Sequence, residues 1–80
     1  MRSWAEINLD NLRYNINTLK SLAGESEVMP VIKANAYGHG LEKILEVIAE
    51  NVNWIGVATL EEAQMVRNIS KVVNVLVLGP

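Results

Sequence analysis

A single lysine, Lys33, stands where this sequence could do covalent chemistry. It ends a short apolar, β-branched run at residues 28–32 that glycines follow, and such a run is typical of a buried strand. A lysine at the end of a core strand loses hydration, which favours the neutral and nucleophilic form of its amine. The position predicts a lysine that forms a Schiff base with a carbonyl compound. The alternative is a solvated surface lysine, which the flanking apolar run and glycine turn disfavour.

Other polar residues near this run have simpler explanations. His39 lies between two glycines, and we interpret it as a loop residue rather than as a catalytic acid or base. Glu61 and Glu62 resemble a catalytic carboxylate pair, but residues 59–62 have the Thr-x-x-Glu spacing of a capping box. The first turn of a helix also favours carboxylates through the helix dipole. We therefore interpret both glutamates as structural.

Composition excludes several classes of function. The chain has 80 residues, of which 50% are hydrophobic and 20% charged, as expected of a globular protein. Seven basic against nine acidic residues leave no basic footprint for nucleic acid. The absence of cysteine removes disulfides, cysteine-ligated zinc and thiol catalysis, and we expect no metal site. With neither a secretory signal nor an apolar stretch of about 20 residues, we expect no membrane association and a cytoplasmic location.

Hydrophobic periodicity predicts an α/β fold. Residues 4–9 alternate as in an N-terminal extended strand, and three helices and three apolar strands follow in alternation, the strands at 28–33, 54–58 and 72–79. Gly24 is expected to end the first helix. The predicted apolar helix faces are Leu9, Leu12, Ile16, Leu19 and Leu22, then Leu41, Ile44, Leu45, Ile48 and Val52, then Leu60, Ala63, Val66 and Ile69. Continuous apolar strands separated by helices indicate a parallel sheet.

The position of the lysine fits a barrel. Alternation places Val31, Lys33 and Asn35 on one face of the strand, so Lys33 can face a barrel axis. Chemistry in parallel α/β barrels lies at the carboxyl ends of strands, where Lys33 stands. The last predicted strand reaches Gly79 with no helix after it to cover the sheet, and we expect the chain to be the opening part of a larger barrel.

Residues 31–40, which read VIKANAYGHG, closely resemble the pyridoxal-phosphate motif of the alanine racemases. The resemblance extends from WAEINLD at residues 4–10 to VLVLG at residues 75–79. It implies that Lys33 forms the Schiff base with pyridoxal 5'-phosphate and that Tyr37 hydrogen-bonds the phosphate. It also implies that Leu78 packs beside the cofactor, although an ordinary core leucine is an equal alternative there.

The resemblance implies a fold and an activity as well. Residues 1–80 are expected to be a partial cofactor-binding domain, the first three strands of a (β/α)8 TIM-type barrel that needs about 250 residues. Family members interconvert L-alanine and D-alanine as homodimers, with the lysine as the base for the D-alanine face. The opposite tyrosine base and an arginine facing the cofactor have no counterpart before Pro80. We therefore expect either the N-terminal segment of an alanine racemase or a silent fragment that at most binds the cofactor without turnover.

Overall fold

The chain forms three helices and a small parallel sheet. The computed structural model describes the backbone of residues 4–79 and the side chains of residues 9–79. The elements are α1 at Trp4–Ala23, short 3-10 turns at Ala34–Ala36 and Gly38–Gly40, α2 at Leu41–Asn51, β1 at Trp54–Val57, α3 at Leu60–Ile69 and β2 at Asn74–Val77. The α/β class expected from the sequence is confirmed.

Strand β1 lies at the centre of the sheet. It pairs in parallel with β2, in a register that aligns Trp54 with Asn74. Its other edge forms a parallel bridge between Val31 and Gly56, in which the Gly56 N–H donates to the Pro30 carbonyl at 2.8 Å. The predicted strand at residues 28–33 is thus only a single bridge. Because Pro30 has no N–H, the pairing cannot extend toward residue 28.

Helix α2 supplies much of the hydrophobic core. All five apolar positions predicted for it are buried, so the expected face is confirmed. They pack with the sheet and the other two helices in one cluster that comprises Ile16, Ile32, Ala34, Leu41, Ile44, Leu45, Ile48, Val52, Ile55, Val57, Val66 and Val73. The cluster covers one face of the sheet. Strand residues that alternate with the members of the cluster point to the opposite face.

The N-terminal extended strand predicted from the sequence is wrong, because α1 begins at Trp4. A helix satisfies its backbone hydrogen bonds locally, whereas a strand needs a neighbouring edge, and no described residue pairs with residues 4–9. Ile16 is buried, but Leu19 and Leu22 are 51% and 79% exposed, so the predicted apolar face is only half correct. The helix ends where expected, before Gly24 with its left-handed φ of 63°.

Helix α3 begins at Leu60 as predicted, and Thr59 caps it. Val66, near its middle, is fully buried against the core. Leu60 and Ile69 were predicted on the same apolar face but are 77% and 43% exposed. The two ends of α3 therefore project beyond the sheet that its centre covers.

Candidate functional site

Lys33 lies where pairing with β1 stops. Its backbone is extended, with φ −102° and ψ 90°, and the first 3-10 turn begins at the next residue. Ile32 and Ala34 on either side are buried, at 6% and 0% exposure, whereas Val31, Lys33 and Asn35 are exposed. The predicted alternation is confirmed, and it places Lys33 on the face opposite to the buried Ile32 and Ala34.

A hollow of about 360 Å³ lies beside this lysine. Its lining residues are Lys33, Asn35, Ala58, Thr59, Glu61, Glu62 and Met65. The volume lies within the range of small-ligand sites, and a primary amine at its edge fits a small molecule that carries an aldehyde. The expectation of a dehydrated amine is wrong for this chain, since Lys33 is exposed. The sheet face that carries it is open, as 62% exposure of Val31 indicates.

The opposite side of the hollow is held by a hydrogen-bonded cap at the start of α3. The Glu62 N–H donates to the Thr59 hydroxyl at 3.1 Å, and that hydroxyl lies 3.4 Å from Glu62 Oε1. The same carboxylate oxygen accepts from the Ala58 N–H at 3.2 Å. Glu62 is only 6% exposed, whereas Glu61 is exposed. The capping role predicted for Glu62 agrees with these contacts.

Tyr37 follows the lysine segment between the two 3-10 turns. It is half-buried and packs against the hydrophobic core, and it is not among the residues of the described chain that line the hollow beside Lys33. Gly38, the first residue of the second 3-10 turn, adopts a left-handed φ of 52°, while Gly40 has an ordinary φ of −79°. His39 between them is exposed. The assignment of Tyr37 as a phosphate ligand stays a prediction.

Leu78 lies on the face of the sheet that carries the lysine. A Cβ built on Gly56 would meet Leu78 Cδ1 at 2.9 Å and Val31 Cγ2 at 3.3 Å, so both side chains pack over Gly56. Val31 shares its face with Lys33 by alternation. Leu78 is 50% exposed, and its assignment as a cofactor contact stays a prediction.

Two close contacts in the site were not predicted from the sequence. The carboxylate of Glu62 reaches back past the capping residue to Ala58, the residue that follows β1. A Cβ at Gly79 would overlap the Ala58 carbonyl oxygen, so only glycine allows these two main-chain segments to approach as closely as they do. The Thr-x-x-Glu spacing pointed to the cap, but no sequence signal showed the close approach at Gly79.

Two other kinds of site find no support in the described part of the chain. Within residues 9–79, no group of three or more histidine, aspartate or glutamate side chains is placed to hold a metal ion. No helix between residues 4 and 79 is both long and apolar enough to cross a membrane.

This α/β chain thus places an exposed lysine at the carboxyl end of a parallel pairing, at the edge of an open hollow. Residues 7–80 match the family described as alanine racemase, N-terminal domain. The chain belongs to this family.

Similar proteins agree with the family assignment. An alanine racemase of Carboxydothermus hydrogenoformans is 47% identical over 95% of this chain and 21% of its own length, and one of Clostridium kluyveri is 51% identical over 95% and 20%. The crystal structure of the Corynebacterium glutamicum alanine racemase is similar with a TM-score of 0.74 and 46% identity, over 86% of this chain and 21% of that one. The chain thus spans about a fifth of the length of these relatives.

Proposed function

We propose that this chain is the N-terminal part of an alanine racemase that binds pyridoxal 5'-phosphate at Lys33 and interconverts L-alanine and D-alanine. The observation that carries the proposal is the position of Lys33, between buried neighbours and at the edge of a hollow of about 360 Å³. Membership of the family supports the same role.

The chain's own residues would divide the work of binding and proton transfer. The Lys33 amine would hold the cofactor covalently at its aldehyde carbon. When bound, the cofactor supplies an electron sink that makes the α-proton of an amino acid removable. The Lys33 amine would also take or return that proton on the D-alanine face. Tyr37 would donate a hydrogen bond to the phosphate, and Leu78 would pack beside the ring.

Residues 1–80 would form the first three strands of a (β/α)8 barrel in this proposal. The parallel pairing of β1 with β2 and with the segment before Lys33 supports that arrangement. A homodimer would complete the site with the tyrosine base from the partner, and the whole protein would act on alanine in the cytoplasm. A positioned base typically contributes about 10²- to 10⁴-fold in rate, so the segment alone should be severely impaired.

Reductive trapping tests the proposal. The chain is incubated with pyridoxal phosphate, reduced with borohydride and digested, and the modified lysines are identified by mass spectrometry. We expect modification of Lys33 to exceed that of Lys43, an exposed lysine on α2 that serves as an internal control. Lys33→Ala should abolish the preferred label and Lys43→Ala should leave it unchanged. Equal modification of the two lysines would contradict the proposal.

The second candidate is a silent fragment that binds the cofactor without turning it over. The exposure of Lys33 and the position of Tyr37 outside the hollow favour it for the chain in isolation. Exchange of the α-proton of alanine in deuterated water separates the two. Exchange of one enantiomer only would indicate a working Lys33 base, and trapping at Lys33 without exchange would indicate binding alone.

A further inference from the structure

The pairing between the lysine segment and β1 stops abruptly. Gly56 makes both of its ladder hydrogen bonds to this segment, donating to the Pro30 carbonyl at 2.8 Å and accepting from the Ile32 N–H at 2.9 Å. In a parallel ladder the next bond would join the Ala58 N–H to the Ile32 carbonyl, because every second residue of β1 faces the same edge. That next bond would continue the pairing alongside Lys33.

Glu62 takes the donor that this next bond requires. The Ala58 N–H donates instead to Glu62 Oε1 at 3.2 Å. Burial restricts the carboxylate to this position, since Glu62 is only 6% exposed. A buried oxygen within hydrogen-bond reach gives this donor an acceptor other than the Ile32 carbonyl, so the Ala58 N–H is already satisfied without the ladder. The pairing therefore ends one residue before Lys33.

The hollow lies beyond the point where the pairing ends. Beyond the last shared bond, the lysine segment turns into the first 3-10 turn, while Ala58 and Thr59 turn into α3. Lys33 and Asn35 line one side of the space between them, and Ala58, Thr59 and Glu62 line the other. A ladder extended by one bond would draw these two sides together.

We propose that Glu62 is a positioning residue that stops the pairing between the lysine segment and β1, and so keeps open the hollow into which Lys33 projects. Glu62 does not touch the reacting atoms in this proposal, and it acts only by withholding the Ala58 N–H from the ladder. Its effect on cofactor capture rests on the function proposed above. Its effect on strand pairing does not.

Substitutions at two adjacent glutamates separate this role from general effects of charge. Glu62→Ala removes the acceptor, whereas Glu62→Gln removes the charge but keeps an oxygen at the same reach. Glu62→Asp keeps the charge in the first turn of α3 but is one methylene too short to reach Ala58. The matched control is Glu61→Ala, which removes the same charge from the same helical turn and the same hollow.

The first measurement follows the pairing by NMR. In Glu62→Ala we expect a cross-strand nuclear Overhauser contact to appear between the Lys33 Hα and the Ala58 amide, a pair that lies beyond the last ladder bond of the unsubstituted chain. Glu62→Gln and Glu61→Ala should resemble the unsubstituted chain. If Glu62→Ala does not fold, Glu62→Asp serves in its place with the same expected contact. Absence of that contact in the folded variant, or its appearance in Glu62→Gln, would overturn the proposal.

The second measurement follows cofactor capture. After incubation with pyridoxal phosphate and borohydride reduction, the ratio of modified Lys33 to modified Lys43 should fall about tenfold in Glu62→Ala and recover in Glu62→Gln. An unchanged ratio in Glu62→Ala, with the new cross-strand contact present, would overturn the claim that the hollow depends on this residue. If the unsubstituted chain shows no preference for Lys33, the proposed function fails, and the NMR result still decides the role of Glu62.

Discussion

Replacement of Gly79 by alanine should disturb the sheet more than its small size suggests. The new Cβ would overlap the carbonyl oxygen of Ala58, which belongs to the main chain just after β1. A flexible side chain could rotate away from such an overlap, but two main-chain segments can relieve it only by moving apart. The movement would open the end of the β1–β2 pairing, where the Leu78 N–H donates to the Val57 carbonyl at 2.7 Å.

The size of the effect follows from three contributions. Forced displacement of a packed backbone costs about 1–3 kcal/mol. Loss of the neighbouring hydrogen bond costs about 1 kcal/mol. Alanine also restricts the unfolded chain, which offsets about 0.4–1 kcal/mol of the loss. The net decrease in the free energy of unfolding is about 2 kcal/mol, which in a chain of this size lowers the melting temperature by roughly 10 °C.

Thermal unfolding followed by circular dichroism measures this decrease, and Gly24→Ala is its control. Gly24 has a left-handed φ of 63°, but a Cβ there meets nothing within 4 Å, so alanine at Gly24 carries only the conformational cost of about 1 kcal/mol. We expect Gly79→Ala to lower the melting temperature about twice as far as Gly24→Ala. A Gly79→Ala chain that melts within about 2 °C of the unsubstituted one would refute the steric reasoning.

Three further substitutions test the core, the cap and the open face. Ile48→Ala at a fully buried position should cost about 2–5 kcal/mol in chemical denaturation, and a loss below about 1 kcal/mol would mean that α2 does not pack as described. Thr59→Ala should cost about 1 kcal/mol by removing the α3 cap, and Thr59→Ser should restore it if the hydroxyl is responsible. Gly56→Val should push Leu78 across the face beside Lys33 without unfolding the chain, and the amount of cofactor trapped there by borohydride should fall severalfold. An unchanged amount of trapped cofactor would show that the space above Gly56 is not used.

The parts of the fold that the sequence predicted well are those with local causes. The face of α2 repeats every three to four residues and is entirely buried, and the Thr-x-x-Glu spacing fixed the start of α3 at Leu60. The errors concern interactions between elements. Residues 4–9 alternate like a strand but lie in α1, because alternation over six residues does not supply a neighbouring strand to pair with. Leu22 continues the helical period but lies past the surface that α1 covers.

The candidate site was predicted in part for the same reason. Two-residue alternation was enough to place Lys33 on the face opposite to buried Ile32 and Ala34. The hydration of its amine depends on what covers that face, which no local pattern specifies, and the prediction of a dehydrated amine was wrong. The contact between Glu62 and Ala58 also depends on how α3 leaves β1, a matter of three-dimensional path rather than of spacing.

The burial of Ile32 and Ala34 has a consequence for how the lysine can work. Both side chains anchor the backbone of Lys33 in the hydrophobic core, whereas the lysine itself is exposed above the sheet. A tethered amine of this kind loses little backbone freedom when it captures an aldehyde, since folding has already restricted the main chain. In the proposed function, the hydrophobic effect on one face of the sheet would thereby position the nucleophile on the other.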